Sequence, residues 1–190
     1  LDSLGVKKIS KSDFINKDFN YPTYVQLSTL DYHERIDGTD ASKDDFYSFP
    51  DQYQSCLANY AIYADMLITG HYYAPNNPII LSKKDFRNPD FKIQVVGDIS
   101  CDINGPIGCT IRPSTIHHPI YGYNPLTEKE EDYAQDNNIV VMAVDNLPCS
   151  LPKDASVDFG QVFIDEVLPD LISNRIIVSR ATIAMDGALT

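Results

Sequence analysis

Val95-Val96-Gly97-Asp98-Ile99-Ser100-Cys101-Asp102 is an apolar run that breaks into a turn crowded with carboxylates, a hydroxyl and a thiol. Lys92–Val96 reads as a buried strand leading into that turn. The pattern recurs about forty residues on, where Ile139-Val140-Val141-Met142-Ala143-Val144 runs into Asp145-Asn146-Leu147-Pro148. A third instance is Asp65-Met66-Leu67-Ile68-Thr69, which has no alternation, as expected of a central parallel strand, and ends at Gly70-His71-Tyr72-Tyr73. In open α/β sheets ligands bind just beyond the carboxyl ends of the strands, so these loops are where function is expected.

Around these strands the spacing predicts helices. Pro50-Asp51 opens one with Tyr53, Cys56, Leu57, Tyr60 and Ala64 on a single face. Pro152-Lys153-Asp154 opens another, with Ala155, Phe159, Val162, Phe163 and Val167 together and Pro169 at its end. Leu1, Leu4 and Gly5 read as the last turn and C-cap of a helix, Val6–Ile9 as a strand, Ser10–Phe14 as a helical turn and Tyr24–Leu27 as a short strand. Asp31–Ser48 is charged and reads as an exposed insertion with a turn at Asp37-Gly38, and Glu128–Asp136 reads as solvated. Four prolines between Gly105 and Pro125 predict an irregular stretch. Ile176–Val178 and Thr182–Met185 read as extended, with Asp186-Gly187 as a turn before Leu189. Strands alternating with helices give an α/β, Rossmann-like fold with a mainly parallel sheet flanked by helices, incomplete at its N-terminus.

Composition bounds the partners. The 190 residues suit one domain with a real core, and 43% hydrophobic with 22% charged content is ordinary for a globular chain. A net charge of −12 argues against nucleic acid or an anionic membrane surface. Cys56, Cys101, Cys109 and Cys149 contain no C-x-x-C pair, which points to a reduced, cytoplasmic setting.

Site chemistry is sparse. There is no G-x-G-x-x-G and no G-x-x-x-x-G-K-[ST]. His117-His118 are adjacent and Cys101 with Cys109 lacks a zinc spacing, so no metal is expected. A nucleophile–base pattern is also missing, and all four cysteines read as buried and inert. Asp98 at a strand end is suited to accept hydrogen bonds from loop amides or a ligand hydroxyl, and Asp145-Asn146 invites the same reading; either can equally be a turn-former. If a glycine fingerprint precedes Leu1, the ribose-binding position after Val6–Ile9 falls on Ser10, Lys11 and Ser12. That set would tolerate a 2′-phosphate and leans toward NADP.

Val96–Asp102, Thr115-Ile116-His117-His118-Pro119, Val144-Asp145-Asn146-Leu147-Pro148 and Leu151–Gly160 together resemble the saccharopine dehydrogenase and lysine–ketoglutarate reductase family, which is related to alanine dehydrogenase and the transhydrogenase α subunit. Arg180–Leu189 looks like that family's closing segment. The resemblance implies a Rossmann NAD(P)-binding domain over residues 1–175, with 176–190 returning to an N-terminal catalytic domain. It implies NAD or NADP contacts at Tyr72, at Gly97, Asp98, Ile99 and Ser100, and at Val144, Asp145, Asn146 and Leu147. The family's catalytic groups lie in the N-terminal domain and have no counterpart here, so these residues alone are expected to be inactive. The implied activity is oxidoreduction at an amino-acid C–N bond, with an amino-acid or 2-oxo-acid substrate brought by that other domain and a homo-oligomer as a further partner. His71 stands where relatives carry an apolar residue and Gly70 where they carry Cys. The alternative is a non-catalytic nucleotide-binding or dimerisation module.

Overall fold

The computed structural model describes residues 1–173 and 176–189. The boundary drawn at 175/176 falls on a residue outside that set. Asp2–Leu4 is a helical turn closed by Gly5 in the left-handed conformation (φ 77°), as the spacing predicts. β1 (Lys7–Lys8) pairs in parallel with β2 (Thr23–Tyr24). Between them lies α1 (Lys11–Asn16), whose N-cap Ser10 accepts a hydrogen bond from the Asp13 amide at 3.0 Å.

The stretch expected as an exposed insertion is exposed over most of its length but carries regular structure. It contains α2 (Thr29–Tyr32), β3 (His33–Arg35) and α3 (Lys43–Ser48). One group of its charges is paired: Arg35 bridges Asp37 and Asp45, and the Tyr53 hydroxyl donates to Asp45 at 2.7 Å. That neutralisation lets Phe46 bury against the His33 and Tyr53 rings, with centroids 4.7 and 5.1 Å away. The Asp37-Gly38 turn is present, with Gly38 at φ 72°.

The helix predicted from Pro50 is also corrected. Pro50–Gln52 makes one turn, β4 (Tyr53–Ser55) pairs antiparallel with β3, and only α4 (Ala58–Ala61) is helical. Tyr53 and Leu57 are buried as the stripe requires, but on different elements. Ser55 breaks the helix: its hydroxyl donates to the Ile80 carbonyl and accepts the Leu57 amide.

A five-stranded sheet forms the centre of the first of two compact units, Leu1–Asp145. Its strands are β5 (Met66–Thr69), β6 (Val95–Asp98), β7 (Ile120–Asn124), β8 (Lys129–Glu131) and β9 (Ile139–Met142), in spatial order β5-β6-β9-β7-β8. β5, β6 and β9 are parallel, whereas β7 runs antiparallel to both β9 and β8. The α/β class therefore holds, with a mixed sheet in place of a mainly parallel one. β5 lies at the sheet edge, not its centre, and leaves Met66 and Ile68 exposed. The stretches read as irregular and as solvated supply β7 and β8, a hairpin whose polar residues pair across strands, with Asn124 Nδ2 donating to Glu131 at 2.9 Å.

Strict alternation divides the sheet's faces. Val96 and Asp98 of β6, Ile139 and Val141 of β9, and Tyr121 and Tyr123 of β7 point into a core completed by Leu57, Leu81, Phe86 and Ile107. Met66, Ile68, Val95, Gly97, Ile120, Val140 and Met142 line an open apolar groove of about 290 Å3 on the other face.

The second unit, Asn146–Thr190, is mainly helical. Leu147–Ser150 is a tight turn and α5 spans Pro152–Val162. A widened turn, Phe163–Val167, passes into α6 (Leu168–Ser173), so the chain stays helical through Pro169 where an end was expected. The widened turn relieves the clash a proline ring makes with the preceding turn. Ile176–Ala181 forms α7, not an extended segment. β10 (Ala184–Met185) and β11 (Ala188–Leu189) make the expected hairpin across Asp186-Gly187, both at positive φ.

Gly122 on β7 is sterically obligatory. A Cβ there would sit 2.7 Å from the Glu131 carbonyl oxygen and from Tyr133 backbone atoms. Gly122→Ala is expected to lower the unfolding free energy by about 1–3 kcal/mol. The measurement is the urea midpoint, which should fall at unchanged slope.

Candidate functional site at the strand carboxyl ends

Parallel pairing places the ends of β5, β6 and β9 side by side. Thr69 of β5 is the direct partner of Asp98 on β6, and both side chains face the core. The Thr69 hydroxyl donates to Asp98 Oδ1 at 2.8 Å, and the Thr110 hydroxyl donates to Asp98 Oδ2 at 2.6 Å. The Cys101 amide adds a third bond to Oδ1 at 3.1 Å. Asp98 is 0% exposed, and every one of these bonds comes from the chain itself.

Beyond the strands the ladder continues by other means. The Ile99 amide donates to the Thr69 carbonyl at 2.9 Å. One step on, the Ser100 hydroxyl replaces backbone: it accepts the His71 amide at 2.9 Å and lies 3.0 Å from the His71 carbonyl, to which it donates. The Cys101 thiol donates to the Ala143 carbonyl at 3.1 Å, which ties the β6 loop to the end of β9. Ser114 extends the same edge. Its amide donates to the Ala143 carbonyl, and its hydroxyl accepts the Ala143 amide and donates to the Pro119 carbonyl. The three loops are thus laced into one crest.

Burial sets the electrostatics. It lowers the His71 pKa against the opposing pull of Asp98 and Asp102, so the ring is neutral near pH 7. His71 Nδ1 lies 3.3 Å from Ser100 Oγ, while Nε2 is buried and has no hydrogen-bond partner among the described residues. Of the four cysteines expected to be buried, only Cys109 is; Cys56 and Cys101 are half-buried and Cys149 is exposed, on the turn that precedes α5. Burial raises the Cys101 and Cys109 thiols, reinforced by Asp98, which keeps both protonated and poorly nucleophilic. The crest offers hydrogen-bonding groups and apolar surface, not an activated nucleophile.

The chain is 32% identical over 124 residues to alpha-aminoadipic semialdehyde synthase of Arabidopsis thaliana, covering 63% of this chain and 12% of that protein. It is 26% identical over 215 residues to the mitochondrial enzyme of that name from Rattus norvegicus, covering 97% and 23%. The Mus musculus protein is 26% identical over 189 residues. Its curated homologues are alpha-aminoadipic semialdehyde synthases. The resemblance to lysine–ketoglutarate reductase and saccharopine dehydrogenase read from the sequence is borne out. The chain spans between 12% and 23% of the length of these synthases. No family model matches it.

Against this synthase likeness, the residues assigned to the cofactor take distinct places. Tyr72 is 84% exposed, and Ile99 is half exposed beside Gly97 on the open face. Ser100 is shared with the His71 backbone, and Asp98 is inaccessible. Val144 is buried and bridged to Ser114, and Asp145 is exposed. Asn146 and Leu147 open the second unit, where the Asn146 carbonyl accepts the Cys149 amide. Ser10, Lys11 and Ser12 sit at the start of α1, off the five-stranded sheet; Ser10 is engaged as N-cap and Lys11 with Asp31. The sequence reading missed Thr69, Thr110 and Ser114. Thr69 ends an apolar strand and carried a signal in that position; Thr110 and Ser114 lie in the proline-rich stretch and carried none.

His33 shares the state of His71: its Nδ1 donates to the Thr29 carbonyl at 3.0 Å, its Nε2 is unpartnered, and burial lowers its pKa from 6.5. A folded-state pKa below the unfolded value means the unfolded chain binds more protons. Stability is then full above the unfolded pKa and is lost as pH falls from about 6.5 through the folded values. The melting temperature should therefore fall between about pH 7 and pH 5.5, with a smaller fall in a His33→Gln/His71→Gln variant. An identical fall in the variant would assign the effect to other groups.

Proposed function

We propose that the crest is one wall of a nicotinamide-dinucleotide cleft in a Rossmann-type domain. On this reading the chain is the NAD(P)-binding part of an oxidoreductase acting on an amino-acid C–N bond, in the manner the names of its relatives suggest. The observation that carries it is the side-by-side placement of three parallel strand ends whose loops are fixed to one another by Asp98, Ser100 and Cys101. Ligand sites of open α/β sheets lie at such ends.

The residues present fit a nicotinamide nucleoside. Ile99 and Tyr72 give exposed apolar surface for a ring, and the exposed carboxylate of Asp145 can meet ribose or amide groups. When bound, the dinucleotide supplies hydride chemistry at an imine carbon. The chain's own residues orient it. Ser100 holds the β5 and β6 loops at fixed spacing, Ile99 keeps water from one side of the ring, and the buried Asp98 fixes the loop that carries both. His71 stays beneath the loop, its backbone held by Ser100. Ser10, Lys11 and Ser12 are proposed to meet the 2′-phosphate of NADP, Lys11 exchanging its bond to Asp31 for the phosphate.

Titration of the full-length protein with NADH and NADPH, followed by nicotinamide fluorescence, tests this. Both should bind, NADPH more tightly, and Ser100→Ala should weaken binding by roughly 3- to 10-fold, the worth of about one lost hydrogen bond. Absence of binding to either would overturn the cleft, and preference for NADH would overturn the role given to Ser10–Ser12. Binding without turnover of any amino-acid or 2-oxo-acid substrate would leave a non-catalytic nucleotide-binding module.

A further inference from the structure

We propose that Thr110 is a positioning residue for the crest, acting on the dinucleotide wall through Asp98 without reaching the ligand. The proposal rests on the cleft reading above. The loop from Asp98 to Thr110 contains two non-glycine residues at positive φ, Cys101 at 52° and Asn104 at 50°. Such conformations persist only where the surroundings hold them. Each is held at its amide by one member of the same pair. Asp98 Oδ1 accepts the Cys101 amide at 3.1 Å, and the Thr110 carbonyl accepts the Asn104 amide at 2.9 Å. The pair is joined by the bond of 2.6 Å from the Thr110 hydroxyl to Asp98 Oδ2, and both residues are 0% exposed.

Thr110 therefore closes a ring: Asp98 to Cys101, onward to Asn104, back through Thr110 to Asp98. Ile99 and Ser100 are carried on the first arc of that ring. Without the Thr110 hydroxyl, Asp98 Oδ2 is buried with no donor, and the carboxylate turns to recover one. The grip on Cys101 then loosens and Ile99 and Ser100 lose their fixed placement. Isosteric removal of one hydroxyl deep in the core thus acts on a surface the residue never touches.

The test uses the full-length protein with Thr110→Val, Thr110→Ser and Ile107→Val, the last a control in the same loop whose side chain is buried but apolar. Thr110→Val should weaken NADH and NADPH binding roughly tenfold and speed hydrogen exchange at the Cys101 and Asn104 amides. Thr110→Ser should restore both, and Ile107→Val should lower the melting temperature while leaving affinity within about twofold, since it leaves the ring's hydrogen bonds intact. Unchanged exchange at the two amides in Thr110→Val overturns the proposal, as does equal weakening by Ile107→Val. Faster exchange in a protein whose wild type binds neither dinucleotide overturns the cleft reading while leaving the ring itself standing. If Thr110→Val does not fold, Thr69→Val removes the other hydroxyl from Asp98 and carries the same expectations for Cys101.

Discussion

A carboxylate removed from water costs several kcal/mol unless donors replace its hydration. Asp98 is wholly buried, and the end of the sheet is arranged around meeting that cost. Two hydroxyls and one amide converge on it from three places in the chain: the neighbouring strand, its own turn and the return of the following loop. The burial follows from strand geometry. Side chains two apart on a strand share a face, so the register that sends Val96 into the core sends Asp98 there as well. Thr69 meets it because parallel pairing makes those two residues direct partners. The turn that follows is thus fixed from beneath, by the core side of the sheet.

The sheet's two faces stand in different conditions. Parallel strands are ordinarily covered on both sides. Here the face carrying Val96, Val141 and Tyr123 is packed to exclusion of solvent, while Val95, Val140 and Met142 line an open apolar groove. Gly97 lies on that open face, where a Cβ would make only ordinary contacts with Met142 and Ile68, at 3.7 and 3.9 Å. Its lack of a side chain is not forced by packing. It leaves the backbone before Ile99 accessible from the groove side. The antiparallel β7 completes the sheet on the far side of β9 and brings Tyr121, whose hydroxyl accepts the Ile111 amide and donates to the Cys109 carbonyl. Those bonds anchor the end of the same loop that Thr110 closes.

How much of this was legible in the sequence depended on whether the signal was local. The three parallel strands announce themselves as apolar runs, and the turns after them as polar clusters, so the crest could be located from residues alone. The resemblance carried by Val96–Asp102 and Val144–Pro148, among other strings, pointed to the family of the synthases it matches. The helix expected over residues 50–64 failed because buried positions at i, i+3 and i+4 also arise when a strand and a short helix each bury a few side chains; Ser55, bonded to Ile80, decides between them. The Asp31–Ser48 stretch is exposed over most of its length, as expected, but its regular structure was hidden because composition counts Arg35, Asp37 and Asp45 as three charges, whereas the fold joins them into one network. β7 was hidden by Pro119 and Pro125, which bound it without entering its ladder. Partners far apart in the chain, such as Asp98 and Thr110, leave no periodicity to read.

Asp98, Ile99 and Ser100 are consecutive, yet the geometry gives them three separate duties. Asp98 faces the core and is consumed there. Ile99 is turned by alternation to the open side, where it extends the apolar groove. Ser100 lies past the ladder's end and stands in for a backbone partner, holding the His71 amide and carbonyl with one hydroxyl. Reading the three as one cluster of acid and hydroxyl would suggest catalysis. Burial and hydrogen bonding separate them into anchor, contact surface and spacer, and only the middle one has its side chain largely free. A ligand at this crest would therefore feel the anchor and the spacer through the shape they impose.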